Sequence, residues 1–187
     1  SCMRTQELFF FGMTFFLVGC GSSSAKSGDT GSVKDLMPPP STGLRAHIIT
    51  DPAQAGNGEM LGALPGDILL ANDHVRFVIR GQSEGLTLLG LGGGCVIDAG
   101  TDQTDQLQEL APLIGFNCFS KTTVSVKRDG SDGVAEVLVE GTTGLVDVIA
   151  AVMPAAELLM PMTTTYRLTP GATALEIETT AETDKTL

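Results

Sequence analysis

Apolar and polar residues alternate along most of the chain after residue 43, and this alternation predicts β-strands. In Val75–Arg80 apolar side chains share one face while Arg76 and Arg80 share the other, as in a half-buried strand. The segment Val134–Glu140 repeats the pattern with glutamates on its second face. Turns rich in Gly, Asp and Pro separate such segments, as in antiparallel sandwiches. We therefore predict an all-β fold, an antiparallel β-sandwich, over residues 43–187.

The remaining strands follow from the same pattern. They are Gly43–Thr50, Ile68–Ala71, Val96–Ile97, Thr122–Lys127, Leu145–Val152, Met162–Leu168 and Ala174–Glu182. One segment, Thr101–Gly115, instead predicts a short helix, because Leu107, Leu110 and Ile114 recur at helical spacing.

An apolar run near the start, Leu8–Val18, predicts a signal-peptide helix. It is shorter than the roughly 20 residues that span a bilayer, and it follows the basic Arg4. The run ends in Leu17-Val18-Gly19-Cys20, which resembles the lipobox of bacterial lipoproteins. This resemblance implies that residues 1–19 are a signal peptide, cleaved before Cys20, and that Cys20 is acylated.

Residues 20–42 have the composition of a tether. Ser and Gly dominate the first half and three consecutive prolines follow, which predicts a disordered coil that ends in a short stiff spacer. Gly21 and Ser22 follow Cys20 where lipoproteins retained in the inner membrane carry Asp. By analogy with that family, we predict a lipid-anchored protein of the bacterial cell envelope, at the outer membrane, whose membrane partner is reached through Cys20.

The net charge excludes one class of partner. The chain has 22 acidic and 11 basic residues, a formal charge of −11. An acidic surface repels phosphate backbones, and no basic patch offsets it, so we predict no nucleic-acid binding.

Two cysteines lie within the predicted sandwich. Lipidation accounts for Cys20 and Cys2 falls in the leader, which leaves Cys95 and Cys118. In an oxidising periplasm these two residues could form a disulfide, and they could equally be two buried thiols that act as small apolar side chains. The sequence leaves both alternatives open.

A serine in Gly81–Gly85, GQSEG, fits the G-x-S-x-G pattern of hydrolase nucleophiles. That pattern functions on a strand-to-helix turn and needs a histidine to take the serine proton. Here a glycine-rich segment follows Ser83, and both histidines, His47 and His74, precede it. We predict a turn at this position and no catalytic residue.

Three aspartates, Asp98, Asp102 and Asp105, are candidate Ca²⁺ ligands because several carboxylates in a loop can hold this cation. Their spacing differs from that of an EF-hand, and aspartates also serve as turn residues. Two histidines far apart in sequence fall short of the three or four ligands of a zinc site. We predict no bound metal and no cofactor.

Two blocks of the chain carry a resemblance to a known family. GDILLANDHVRFVIRG with LGLGGGCVIDAG, and TTTYRLTPGATALEIETTAE, resemble the N-terminal β-sandwich of large envelope lipoproteins from myxobacteria and other deltaproteobacteria. A weaker likeness connects them to mutarotase-like sandwiches. Cys95 stands where that family commonly has Asn. Such lipoproteins often continue into a carboxypeptidase-regulatory-like sandwich or a metallohydrolase domain, so we expect the natural chain to extend beyond Leu187.

These observations favour a non-catalytic binding or scaffold module that presents a face to a glycan or to another envelope protein. The alternative is the accessory N-terminal domain of a larger envelope hydrolase whose catalytic domain lies beyond Leu187. A self-contained esterase at Ser83, or an epimerase of the mutarotase type, comes third because neither histidine has an assignable acid/base partner.

Overall fold

A computed structural model describes residues 43–56, 62–81, 92–101, 104–107, 109–146 and 159–182 of the chain. Their nine strands are β1 Arg45–Ile48, β2 Ile68–Ala71, β3 Arg76–Ile79, β4 Val96–Thr101, β5 Thr104–Leu107, β6 Asn117–Asp129, β7 Ala135–Leu145, β8 Pro161–Leu168 and β9 Glu176–Ala181. The predicted signal peptide and tether lie outside these residues.

The strands form two antiparallel sheets. Sheet A has the order β1-β2-β3-β4-β5 and sheet B the order β6-β7-β8-β9, so within each sheet neighbours in sequence are also neighbours in space. Long strands on sheet B and short strands on sheet A pack against a shared core. The predicted antiparallel β-sandwich is confirmed.

Alternation along the strands builds this core between the sheets. Ala135, Val137 and Val139 of β7 are fully buried, while the residues between them lie on the opposite face. The other fully or nearly buried members come from both sheets: Ala46, Ile68, Leu70, Ile79, Val96, Phe119, Met162, Tyr166 and Leu168. Removing these side chains from water is the main stabilising contribution to the sandwich.

A second apolar cluster covers the outer face of sheet A. Ile49, Ala55 and Ala63 pack there against Leu69, Ala71, Val78 and Ile97, all buried. The strand β2 is consequently buried on both faces, which explains its unbroken apolar sequence ILLA. We call the described residues 49–56 and 62–64 the covering segment. It contains a capped 3₁₀ turn, Pro52–Ala55, in which Asp51 accepts a hydrogen bond from the Ala53 N–H.

One turn residue joins the two sheets at their ends. The side-chain oxygen of Asn72 accepts hydrogen bonds from the N–H groups of His74 and Val75, which shapes the β2–β3 turn. The amide nitrogen of Asn72 donates to the carbonyl oxygens of Thr169 and Ala172 in the β8–β9 turn, at 3.0 and 2.8 Å. One asparagine therefore connects a hairpin of sheet A to a hairpin of sheet B.

The predicted helix over Thr101–Gly115 is wrong. Thr104–Leu107 is strand β5, paired with β4, and Leu110 exchanges backbone hydrogen bonds of 2.8 and 2.9 Å with Val96. Leu107, Leu110 and Ile114 all pack against the core, so their spacing reflects burial of an extended segment at the sheet edge. Short apolar spacing alone does not separate these two arrangements.

The predicted strand Leu145–Val152 is described only at its start, where Leu145 ends β7 and the Val146 N–H donates to the Phe116 carbonyl oxygen. Residues 147–152 lie outside the described part of the chain. Among the described residues, no helix has the length and apolar character needed to cross a membrane.

Candidate functional site

The outer face of sheet B carries polar side chains in register across four strands. Because Glu136, Leu138 and Glu140 alternate with the buried residues of β7, they point away from the core. The strand pairing aligns three rows, which we call the polar face: Thr123–Glu140–Thr163–Thr180, Ser125–Leu138–Thr165–Glu178 and Arg128–Glu136–Arg167–Glu176. Four strands span about 14 Å between the outermost two.

Two ion pairs of Arg167 connect three charged side chains in one row of this face. Arg167 donates from Nε to Glu136 at 3.0 Å and from Nη1 to Glu176 at 3.1 Å. The hydrogen bond with Glu136 raises the pKa of the Arg167 guanidinium. Ion pairs this exposed add little stability, so their main effect is to hold the three side chains in one orientation.

Hydroxyl and carboxyl groups dominate the other two rows. Thr163 and Thr165 are partly exposed and Glu140 and Glu178 are exposed, whereas the hydroxyl oxygen of Ser125 is buried. Hydroxyl groups both donate and accept hydrogen bonds and carboxylates accept them, so the polar face can bind a surface of mixed polarity. The three rows contain no aromatic ring.

The outer face of sheet A is built differently. Arg76 and Arg80, predicted on the exposed face of a half-buried strand, are only 8% and 5% exposed, and that prediction is wrong. Arg80 forms an ion pair of 3.0 Å with Asp67, and Arg76 lies 3.5 Å from Asp98. The covering segment buries both pairs, which makes them structural.

Asp67 is the centre of this covered region. Its carboxylate accepts hydrogen bonds from the Gly81 and Leu64 N–H groups, both at 2.8 Å, in addition to Arg80. Arg80 also donates to the carbonyl oxygen of Gly62. These contacts fasten the covering segment to β3. The sequence carried one signal for them, the acidic residues placed directly beside apolar strands in GDILL and VIDAG.

The structure brings Cys95 and Cys118 together. Both lie in one buried cluster with Val146 and both are thiols in the structure. Burial, and secondarily the neighbouring Cys118, raises the pKa of the Cys95 thiol to about 12. The choice between a disulfide and two buried thiols therefore stays open. Lipidation of Cys20, which lies outside the described residues, stays a prediction.

In the described part of the chain, the structure shows no site formed by the candidate calcium ligands. Asp98 is 1% exposed within β4, beside Arg76. Asp105 lies in β5, paired with Gly100, and Asp102 lies outside the described residues. In the described ranges no group of three or more His, Cys, Asp or Glu side chains could hold a metal ion.

The two histidines lie on different elements. His47 is in β1 opposite Leu69, and burial together with Arg45 lowers its pKa. His74 is exposed in the β2–β3 turn. Ser83 of the GQSEG segment lies outside the described residues, so the predicted turn there stays a prediction.

No protein-family model, no curated protein and no solved structure matches this chain. The resemblance to envelope lipoproteins of myxobacteria therefore stays a prediction from the sequence.

Proposed function

We propose that the protein is a lipid-anchored protein of the bacterial envelope, and that its β-sandwich is a non-catalytic binding or scaffold module for another envelope protein. The observation that carries this proposal is the difference between the two outer faces. Ile49, Ala55 and Ala63 of the protein itself cover the outer face of sheet A, whereas the polar face of sheet B is partly to fully exposed.

The shape and chemistry of the polar face support a protein partner. Small-molecule sites are concave and mostly apolar, whereas this face is the surface of a four-stranded sheet with hydroxyl and carboxyl groups. The rows also contain Leu138, an apolar contact near the middle. A glycan remains the second possible ligand, and the rows lack the aromatic rings on which sugar rings stack.

The leader supports attachment to the membrane. Leu17-Val18-Gly19-Cys20 follows an apolar run, and the predicted tether follows Cys20. Each CH₂ of an acyl chain buried in lipid adds about 0.8 kcal/mol, so several chains on Cys20 would hold the protein firmly. The tether would then separate the sandwich from the lipid surface.

Site-specific photo-cross-linking in living bacteria tests the binding surface. A photoreactive residue replaces Thr165, at the centre of the polar face, and in a control it replaces Ala53, exposed on the side of sheet A. We expect a discrete protein adduct from position 165 and none from position 53. Equal adducts from both positions, or none from either, would contradict the proposal, and a carbohydrate adduct would favour a glycan.

A further inference from the structure

Strand β9 forms one edge of sheet B. Glu176–Ala181 pairs with β8 on one side, and among the described residues no strand pairs with its other side. Five of its six residues are exposed and Ala181 is partly buried. A strand with an unpaired side presents backbone N–H and C=O groups that a further strand can bind.

The register identifies which backbone groups face this free edge. The Glu182 N–H donates to the Pro161 carbonyl oxygen at 3.0 Å, so these residues form a hydrogen-bonded pair. Hydrogen-bonded and non-hydrogen-bonded pairs alternate in an antiparallel ladder. Glu178 and Thr180 therefore bond to β8, while the N–H and C=O groups of Ile177, Thr179 and Ala181 point to the free edge.

A side-chain contact agrees with this assignment. The hydroxyl oxygens of Thr164 and Thr179 lie 3.0 Å apart, and side chains approach closest in non-hydrogen-bonded pairs. Ile177, on the inner side beside Tyr166, remains 40% exposed. The inner side of the edge thus carries the apolar Ile177 and Ala181 with Thr179 between them, and the outer side is acidic through Glu176 and Glu178.

The same glutamates disfavour a second copy of the chain at this edge. In an antiparallel β9–β9 pair, residues 177, 179 and 181 of the two copies must lie opposite one another, because their backbone groups point to the free edge. Each register that overlaps most of the two strands then places one glutamate directly opposite another: Glu178 against Glu178, Glu176 against Glu182, or Glu178 against Glu182. Like charges directly opposite each other destabilise paired strands, and the net charge of −11 adds to the repulsion.

We infer that β9 is a docking edge for an extended segment of a partner protein, with basic side chains on one face of that segment and small apolar side chains on the other. The backbone groups of Ile177 and Thr179 would supply hydrogen bonds, and Glu178 would select the basic face. This inference goes beyond the proposed function, because it rests on the unpaired backbone groups of β9 and does not need the lipid anchor.

The probe is a synthetic peptide that alternates lysine with valine, and its control alternates glutamate with valine. Binding to the full-length protein in detergent is followed by fluorescence anisotropy. We expect the lysine peptide to bind at least about tenfold more tightly than the glutamate peptide, because cross-strand charge pairing favours it. Equal affinities would overturn the assignment of a basic partner.

Amide hydrogen exchange distinguishes strand addition from nonspecific attraction of a basic peptide. The lysine peptide should slow exchange at Ile177 and Thr179, whose N–H groups face the edge. Exchange at Glu178 and Thr180 should change little, because those groups already bond to β8. Binding without protection at Ile177 and Thr179 would overturn the inference.

A substitution of one edge residue isolates the backbone contribution. Ile177→Pro removes an outward-facing N–H, which edge strands tolerate, and should weaken peptide binding by about tenfold. Ile177→Thr is the matched control, since it keeps the N–H and a β-branched side chain. If Ile177→Pro fails to fold, Glu178→Lys replaces it, and this variant should lose the preference for lysine. Undiminished preference would overturn the inference.

Discussion

The hydroxyl of Tyr166 donates a hydrogen bond of 2.7 Å to the carbonyl oxygen of Gly94, and this bond connects the two sheets through the core. Tyr166 lies on the inner side of β8 and is completely buried. Gly94 precedes β4 and has a φ of +89°, a conformation that favours glycine. A β-branched side chain, Val139, packs where a Cβ at position 94 would lie, so the site is closely packed.

Replacement of Tyr166 by Phe should destabilise the fold without changing its shape. The variant keeps the ring but leaves the Gly94 carbonyl oxygen without this donor in a buried site. We expect the free energy of unfolding to fall by about 1–2 kcal/mol. Urea denaturation measures the change, and Thr165→Ala on the polar face is the control with little expected effect. A Tyr166→Phe variant as stable as the parent would contradict a role for the bond.

Alkaline pH should lower the free energy of unfolding through Tyr166. Burial raises the pKa of Tyr166 above its ordinary value, so the folded state binds the phenolic proton more tightly than the unfolded state. The stabilisation is complete below the unfolded pKa of about 10 and is lost as the pH rises above it. Because the chain has one tyrosine, phenolate absorbance reports this group alone.

In the folded protein the absorbance should show no titration near pH 10, whereas the protein in denaturant should titrate there. Tyr166→Phe should flatten the alkaline decrease in stability. An ordinary titration curve in the folded protein would show that the hydroxyl is accessible to solvent.

The Asp67–Arg80 ion pair predicts a large effect of a small substitution. Asp67→Asn leaves the Arg80 guanidinium, 5% exposed, without its counter-charge. Breaking one side of a buried pair costs about 3 kcal/mol or more, so we expect a loss of that size in urea denaturation. Asp132→Asn is the matched control, because its partner Arg128 is solvent-exposed and stability should barely change. Similar losses in both variants would contradict the structural role of Asp67.

The two buried cysteines should react only when the protein unfolds. The test uses a Cys2→Ser, Cys20→Ser double variant, so that any thiol measured belongs to Cys95 or Cys118. Burial and the raised pKa of Cys95, about 12, keep the thiolate scarce, so alkylation of the folded protein should be slow. In denaturant without reductant, both thiols should be alkylated. Protection of both under those conditions would instead demonstrate a disulfide.

The lipoprotein hypothesis predicts that attachment to the membrane depends on Cys20, the first residue after the predicted signal peptide. Cys20→Ser should abolish incorporation of labelled palmitate and release the protein from the membrane fraction. Cys2→Ser makes the same chemical change in the predicted signal peptide and should leave labelling intact. Labelling that persists in the Cys20→Ser variant would contradict the lipoprotein hypothesis.

The sequence by itself determined where strands form, because alternation and turn residues are local properties of the chain. Ile68–Ala71 was predicted with its observed bounds, and Met162–Leu168 differs from β8 by one residue. Alternation also identified which side chains of β7 share a face. The rows of the polar face could not be predicted, because they depend on the register between strands.

Only the tertiary structure decided whether a strand face meets water. The alternation placed Arg76 and Arg80 on a solvent-facing side, yet both are buried, and Ile49, Ala55 and Ala63 pack on that face as part of the second apolar cluster. The apolar spacing of Leu107, Leu110 and Ile114 predicted a helix, whereas in the structure Leu107 belongs to strand β5 and pairs with β4. In both cases the outcome depends on contacts between segments far apart in sequence, and a local pattern carries no information about those contacts.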